Sequence, residues 1–295
     1  MSSATERAAL VALLRNGKRP WQLYADLVEE AGSAVSVLDD ESERDDAQSS
    51  LFPADSADLL TEARTAIEAW EAAGLRLLTV LDADYPDNLR AVHDRPPVIF
   101  IAGRLQPNDR RSVAVVGART PSARGVAAAG TIARHLVGRG YTVASGLAAG
   151  IDTAAHTAAL GAGGRTVAVI GTGLNRSYPP ENVALQRRIA SECAVISQFW
   201  PDAPPSRRSF PMRNAVMSGL ALATVVVDAT HTSGSRMQAR LALAHGRPVF
   251  LPRSLAEEQA WARDLAARPG VHIVDRASEI TAAIERLTST GALVD

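Results

Sequence analysis

The feature that most constrains the fold is a regular alternation of short apolar, β-branched runs with helical stretches. The runs are SVAVVG (112–117), YTVASG (141–146), RTVAVIG (165–171), CAVISQF (193–199), ATVVVDA (223–229), PVFLP (248–252) and VHIVD (271–275). Near-continuous apolar strands that alternate with helices indicate a parallel sheet covered on both faces. We therefore predict an α/β fold with an extended Rossmann-like, doubly wound, mostly parallel sheet.

The N-terminal part has a different pattern. Residues 5–32 show helical spacing of apolar residues, with Pro20 placed to begin a second helix and Gly32 to end it. The acidic, serine-rich stretch that follows predicts a solvated linker over about 36–57. We thus predict a small helical accessory unit over 1–74 and a Rossmann-like domain over 75–295.

Charge is distributed unevenly along the 295 residues. Residues 1–104 hold 10 Lys and Arg against 19 Asp and Glu, a net of −9, whereas residues 105–295 hold 21 against 13, a net of +8. Lys18 is the sole lysine, which is consistent with codon bias, although arginine also suits phosphate because its fork donates two hydrogen bonds to one oxyanion. The basic part is therefore expected to have an anionic partner.

Several classes are excluded by composition. No stretch approaches the roughly 20 apolar residues of a membrane span, and the N-terminus lacks the apolar core of a signal peptide. We expect a cytoplasmic protein that makes no membrane contact. Cys193 is the single cysteine, so an intrachain disulfide and a cysteine metal cluster are excluded, and we expect it in the core.

Ligands of such sheets bind at the loops that follow the carboxyl ends of the strands. The first loop, GARTPSARG, does not match the dinucleotide pattern G-x-G-x-x-G, because Arg119 stands where the second glycine would admit pyrophosphate. Arg119, aided by Ser122 and Arg124, would hold a phosphate; the alternative is a solvated arginine on a turn.

The next two loops carry polar groups and glycines. In SGLAAGIDTAAH (145–156) Asp152 fits a helix-capping role better than a ligand contact, and His156 fits packing. In GTGLNRSYPPEN (171–182) Asn175 and Arg176 can reach phosphates or bases, while stacking and packing remain equal alternatives for Tyr178.

The segment PSRRSFPMRN (205–214) gives the strongest indication of nucleic acid. Arg207, Arg208 and Arg213 bracket Phe210, and cations around an aromatic ring hold single strands by charge and by stacking; the alternative is a surface loop with Phe210 packed into the core. The loops lack a Walker lysine, a G-x-S-x-G elbow, an H-E-x-x-H motif and a close carboxylate pair. We therefore predict a binding protein without cofactor, metal or catalytic residues.

Together these loops resemble the DNA-processing protein A (DprA/Smf) family over about residues 75–252. The matching pieces are VAVVGAR, VASGLAAGIDTAAH, VAVIGTGLNRSYPPEN, FPMRNAVMSGL and VVVDATHTSGSRMQARLALAHGRPVF. The resemblance implies an extended Rossmann fold that binds single-stranded DNA, commonly as a homodimer, and delivers it to a RecA-type recombinase during natural transformation, without hydrolysing nucleotide.

The resemblance also implies roles for individual residues. The family's phosphate-gripping arginine matches Arg119, its aromatic matches Phe210, and Arg213, Asn214 and the SGS at 233–235 align. This chain differs from the family pattern at Ala118, Ala149, Met212, Ala215 and Gln238. The family's usual glycine-rich segment after PVFLP is also replaced, by a predicted helix, strand and helix. Each lost basic position is expected to weaken binding and flatten its salt dependence.

Our leading hypothesis is a non-enzymatic, DprA-like binder of single-stranded DNA. The predicted phosphate or DNA contacts are Gly117, Arg119, Ser122, Gly146, Gly171, Gly173, Asn175, Arg176, Arg207, Arg213, Asn214, Ser233, Gly234 and Ser235, with Phe210 and Tyr178 for base stacking. One alternative is a sensor of a small nucleotide-derived ligand. Another is an enzyme that cleaves nucleoside phosphates, which is disfavoured because its P-G-G-x-G-T loop is absent.

Overall fold

The structure is a computed structural model that describes residues 3–47, 56–230, 233–291 and 293. Two compact units comprise Met1–Tyr85 with Asp94–Ile101, and Pro86–His93 with Ala102–Asp295. These bounds differ from the predicted division at residue 74, because β1 and the first four residues of β2 belong to the first unit.

The first unit is largely helical. Its elements are α1 (Ser3–Asn16), α2 (Trp21–Ala31), α3 (Ala34–Ala47), α4 (Ser56–Ala72), β1 (Leu75–Thr79) and the start of β2 (Val98–Gly103). Helix α1 is buried continuously from Ala8 to Leu14, and α2 ends at Gly32, whose φ of 65° is accessible to glycine. The Glu6 carboxylate accepts hydrogen bonds from the Ala34 and Val35 N–H groups, which satisfies donors at the start of α3.

The linker predicted over 36–57 differs from the structure in its first part. Residues 36–47 belong to α3, while residues 48–55 lie outside the described residues. Val37 and Leu38 are buried while Asp39 and Asp40 are exposed, so the first part of this acidic stretch forms a helix with one buried face rather than a linker.

The second unit contains the parallel sheet. Its strands are β3 (Ser112–Val116), β4 (Thr142–Ser145), β5 (Thr166–Val169), β6 (Ala194–Ser197), β7 (Ala223–Val226), β8 (Val249–Pro252) and β9 (Val271–Val274). Its helices are α5 (Asp87–Arg90), α6 (Ala123–Gly138), α7 (Ile151–Gly161), α8 (Val183–Glu192), α9 (Ser209–Leu220), α10 (Ser235–Ala244), α11 (Arg253–Glu258), α12 (Ala260–Ala266) and α13 (Ala277–Ser289). The predicted α/β, Rossmann-like, mostly parallel fold is confirmed.

The order of these strands is β6-β5-β4-β3-β7-β8-β9, and every neighbouring pair is parallel. The chain proceeds outward from β3 in one direction, through β4 to β6, and then resumes on the other side of β3 with β7. This reversal between β3 and β7 is the topological switch point, where open α/β sheets bind ligands. Fully buried strand residues such as Val113 and Val225 form the core beneath it. Cys193 is buried, as predicted.

Candidate nucleic-acid interface

Two pockets lie at the carboxyl ends of the strands, where the predicted loops meet. The central pocket, about 430 Å³, is lined by residues 116–120 at the end of β3 and just after it, by α9, and by residues before and within the first turn of α10. The side pocket, about 170 Å³, is lined by the loops that follow β4 and β5 and by α9. Arg119, Phe210 and Arg213 line both pockets, so the two form one continuous site.

The guanidinium of Arg119 lies over the ring of Phe210, with its carbon 5.3 Å from the ring centroid. The loop that carries Arg119 is fixed below it, because the Ala118 N–H donates to the Asp228 carbonyl at 2.6 Å. Arg119 itself is exposed. A cation above an aromatic face retains its charge and most of its donors, so this arginine can bind an anion while the ring orients it.

A second ring extends this aromatic surface. The centroids of Tyr178 and Phe210 are 5.6 Å apart, with their planes inclined by 46°. Phe210 is half-buried at the start of α9, whereas 39% of Tyr178 is exposed. Packing of the two rings fixes their orientation and leaves part of Tyr178 open to solvent, so Tyr178 packs against Phe210, and base stacking by its exposed part stays a prediction.

Arg213 differs from the expected outward phosphate contact. Only 6% of it is exposed, and it donates to the carbonyls of Gly146 and Val169, the latter at 2.9 Å, and to the Asn214 side chain. Arg213 lies one turn after Phe210 on α9 and points into the sheet edge. It therefore joins the ends of β4 and β5 beneath the site, and Asn214 supports it through its Oδ1.

Asp152 and His156 lie on the buried side of α7. Asp152 accepts hydrogen bonds from the Gly146 and Ala148 N–H groups, in agreement with the structural role that the sequence favours. Burial raises the pKa of Asp152, an effect opposed by the charge of Arg213 and by these hydrogen bonds. Burial, assisted by the Arg213 charge, lowers the pKa of His156 to about 3, so its ring is neutral at ordinary pH.

Ser122 also differs from its expected role beside Arg119. It is the N-cap of α6: its hydroxyl accepts from the Gly125 N–H, and its N–H and hydroxyl donate to the Asp228 carboxylate at 3.0 and 3.1 Å. A side-chain carboxylate thus occupies the helix terminus where a Rossmann cofactor would place its pyrophosphate. Asp228 therefore holds Ser122 by hydrogen bonds within the protein. No motif in the sequence marks Asp228 as part of this loop.

Three further predicted contacts lie outside the lining of both pockets. Asn175 donates to the Asp202 carboxylate at 3.0 Å, and Arg176 lies with its Nε 3.4 Å from the Asp202 carbonyl. Arg207 is exposed on the loop before α9. These residues are placed to contact only a ligand that extends beyond the pockets.

The predicted glycines make room for protein groups. A Cβ on Gly171 would lie 2.8 Å from Phe210 Cδ1, and one on Gly146 would overlap the Arg213 guanidinium. A Cβ on Gly117 would collide with the Asp228 carbonyl and Ile151, and one on Gly173 with the Pro201 carbonyl. Close packing explains why none of the four positions can carry a side chain, and the backbone contacts with phosphate that we expect from them stay a prediction.

The SGS segment leads into α10 at the edge of the central pocket. Ser233, Gly234 and Ser235 line it, and the two serine hydroxyl oxygens are 2.6 Å apart. Gln238 lines the same pocket, is only 1% exposed and has no hydrogen-bond partner among the described residues at either amide atom. In the sequence Gln238 stands out only as a departure from the family pattern, but its position one turn after Ser235 places it on the same helix face and is the signal for a pocket residue.

Across the part of the chain that the structure describes, no helix combines the length and the apolar character needed to cross a bilayer.

The fold and the site define a Rossmann-like protein with an arginine and aromatic pocket at its topological switch point. The family model for DNA recombination-mediator protein A matches residues 76–285. The chain belongs to this family.

Individual relatives support this family membership. Protein Smf from Synechocystis sp. is 38% identical over 199 residues, which are 66% of this chain and 50% of the relative, so the chain spans about half the length of that protein. The X-ray structure of DNA processing protein A from Streptococcus pneumoniae matches with a TM-score of 0.73 and 28% identity, covering 95% of this chain and 98% of that one.

A second solved structure is DNA processing protein A from Helicobacter pylori, described for its single-stranded DNA binding mode. It matches with a TM-score of 0.63 and 25% identity, over 73% of this chain and 96% of that one. The predicted resemblance to the DprA/Smf family is confirmed.

Proposed function

We propose that this chain binds single-stranded DNA at the central and side pockets and does so without catalysis. The observation that carries the proposal is the stack of Arg119 over Phe210 beside Tyr178, because it combines an exposed cation with two rings at one point of the sheet edge. Charge attracts the backbone of a single strand, and base stacking adds about 1–3 kcal/mol per base.

The residues that would contact DNA divide into three groups in this proposal. Arg119 and the backbone of Ser233 to Ser235 would hold a phosphate in the central pocket, with the N-terminus of α10 contributing its dipole. Phe210 and Tyr178 would stack a base in the side pocket. The exposed side chains of Asn175, Arg176 and Arg207 would contact neighbouring nucleotides.

The remaining predicted residues would shape the site. Arg213, Asn214 and Ser122 would hold its floor through their bonds within the protein, and Gly117, Gly146, Gly171 and Gly173 would permit close packing. From the resemblance to the family we also propose homodimer formation and delivery of the strand to a RecA-type recombinase.

Binding of a labelled oligonucleotide of about 20–30 bases, measured at several salt concentrations, tests the proposal. We expect affinity that falls with salt, that exceeds the affinity for the matching duplex, and that Arg119→Gln weakens. Arg187→Gln is the control, because Arg187 is exposed on α8 and lines neither pocket. An absence of salt-dependent binding by the parent chain would overturn the DNA proposal.

Gln238 supports a second candidate, a sensor of a small nucleotide-derived ligand. Its amide, which has no partner within the described part of the chain, offers both a donor and an acceptor, as does the edge of a nucleobase. A pocket of 430 Å³ is within the usual range for small-molecule sites. Mass spectrometry of the ligand released by denaturing the purified protein tests this candidate. A stoichiometric nucleotide that Gln238→Met fails to retain would favour the sensor over the DNA binder.

A further inference from the structure

A third pocket, away from the proposed DNA site, concentrates positive charge between α10 and α12. It measures about 160 Å³ and is lined by Arg236, Arg240, Trp261, Asp264, Leu265 and Arg268. We call it the arginine pocket. Three guanidinium groups against one carboxylate leave this small cavity with an excess of positive charge.

The local sequence explains how the pocket forms. Gln259 is extended, with φ −120° and ψ 116°, and divides the helical stretch expected after β8 into α11 and α12. The second of these helices carries Trp261, which is 6% exposed, and the Arg236 guanidinium lies 5.4 Å from the centre of its ring system. Arg240 follows Arg236 by one helical turn on α10, and Arg268 lies just beyond the end of α12.

The chemistry of the lining selects an anion. Within the described parts of the chain, neither Arg240 nor Arg268 makes a side-chain hydrogen bond or has a carboxylate oxygen within 4 Å, and Trp261 Nε1 is buried without a partner. Guanidinium and indole N–H groups can only donate hydrogen bonds. A ligand that complements them must therefore accept several hydrogen bonds and carry negative charge, and a phosphate diester meets both requirements.

The position of the pocket relates this anion to the proposed DNA site. Ser235 and Gln238 line the central pocket, and Arg240 lies five residues after Ser235 on the same helix, about 7–8 Å along the axis and about 140° around it. The two pockets therefore lie on different faces of α10, and a strand that reaches both must pass around this helix. We infer that the arginine pocket binds backbone phosphate of the same single strand, a few nucleotides from the central pocket. This inference rests on the proposed function.

The test compares short and long oligonucleotides. Binding of labelled dT4 and dT20 is measured from about 0.05 to 0.5 M salt with the parent and with Arg240→Gln/Arg268→Gln. Two lost phosphate contacts should reduce the slope of log affinity against log salt for dT20 by about 1.4, at about 0.7 per contact. If parent and variant converge at 1 M salt, this slope change corresponds to about a 25-fold loss at 0.1 M. The variant should bind dT4 as the parent does.

Two further variants test whether a change in the salt slope is specific to the arginine pocket. Arg134→Gln/Arg187→Gln removes the same charge from exposed positions of α6 and α8, and should leave the dT20 slope near that of the parent. Trp261→Phe keeps an aromatic ring for Arg236 but removes the indole N–H, and should weaken dT20 binding without changing the slope. Circular dichroism and thermal unfolding establish that each variant is folded.

The outcomes separate the two proposals. If the parent binds dT20 and the arginine-pocket variant shows the same slope, the arginine pocket does not contact the strand, while the DNA proposal stands. If the parent binds neither oligonucleotide, both proposals fail. Binding of inorganic pyrophosphate and of dTMP is measured as well. If the parent binds either of them tightly and the arginine-pocket variant does not, while dT20 binding is unchanged, the pocket binds a free small phosphate and the inference is overturned.

Discussion

Arg213 occupies the space that a side chain at position 146 would need, and its guanidinium donates to the carbonyl of Gly146 itself. The glycine after β4 and the arginine of α9 therefore depend on each other. Arg213 also donates to the carbonyl of Val169, so it ties the ends of two neighbouring strands below the rings that we propose to stack bases.

The first prediction concerns Gly146→Ala. The added methyl group forces the buried guanidinium to move, so overpacking and lost hydrogen bonds should lower the free energy of unfolding by about 2–3 kcal/mol. Urea unfolding measures this. Gly138→Ala is the matched control, because nothing lies within 4 Å of its added Cβ in α6, and it should stabilise the protein by up to about 1 kcal/mol. Equal stability of the two variants would contradict the proposed packing.

The second prediction separates the roles of Arg213 and Arg119. Arg213→Gln leaves two carbonyls short of donors and removes the charge that favours the carboxylate of Asp152, so it should cost about 3 kcal/mol of stability. Arg119→Gln removes an exposed group, so stability should change by less than about 0.5 kcal/mol.

The same two variants should differ in DNA binding. The salt slope should fall by about 0.7 with Arg119→Gln, for one lost phosphate contact, and Arg213→Gln should keep the parent's slope where it remains folded. A stable Arg213→Gln protein with a reduced slope would restore Arg213 as a direct phosphate contact.

The third prediction concerns the aromatic pair. Phe210→Ala should weaken oligonucleotide binding by about 1–3 kcal/mol without changing its salt slope, because stacking involves no counterion release. Tyr178→Ala should act in the same direction, whereas Tyr178→Phe keeps the ring and should bind like the parent. Fluorescence anisotropy at constant salt measures each affinity. An affinity lost equally in Tyr178→Phe and Tyr178→Ala would show that the hydroxyl, rather than the ring, matters.

The sequence predicted the sheet because buried parallel strands leave a direct signal: continuous apolar runs separated by helical periodicity. It also predicted the loops that form the site, since the strand ends of such a sheet share one edge. It could not predict that Arg119 lies over Phe210, because that contact joins the loop after β3 to the first turn of α9 and depends on tertiary packing.

The differences between sequence and structure at three positions have a common cause. The sequence suggests ligand contacts for Arg213, Ser122 and Gly146, whereas in the structure each bonds to or packs against a neighbouring protein group. A cationic or polar residue in a loop motif has the same appearance in a sequence whether its partner is a phosphate, a carbonyl or a carboxylate. Only the direction of the side chain distinguishes these partners.

The last prediction concerns pH and His156. Thr166 Oγ1 lies 2.6 Å from both the Val143 carbonyl and His156 Nδ1, and its one hydroxyl proton goes to the carbonyl. His156 Nδ1–H therefore donates to Thr166, and Nε2 has no partner among the described residues. Protonation would place an unpaired charge in the core, which is why the pKa of His156 is lowered to about 3, chiefly by burial.

The direction of the pH effect on stability follows from the protons that His156 binds in the folded and the unfolded chain. Between about pH 6.5 and pH 3 the unfolded chain binds a proton at His156 and the folded chain does not, so stability falls as pH falls through this window. This residue alone should cost about 1.4 kcal/mol per pH unit, or about 3 kcal/mol at pH 4. Urea unfolding of the parent and of His156→Asn at pH 7, 6, 5 and 4 measures it. The carboxylates are common to both proteins, so their effects largely cancel in the difference between the two free energies of unfolding. The variant should be less stable than the parent at pH 7 and should lose stability more slowly on acidification. Parallel curves of unfolding free energy against pH would mean that His156 is not held neutral.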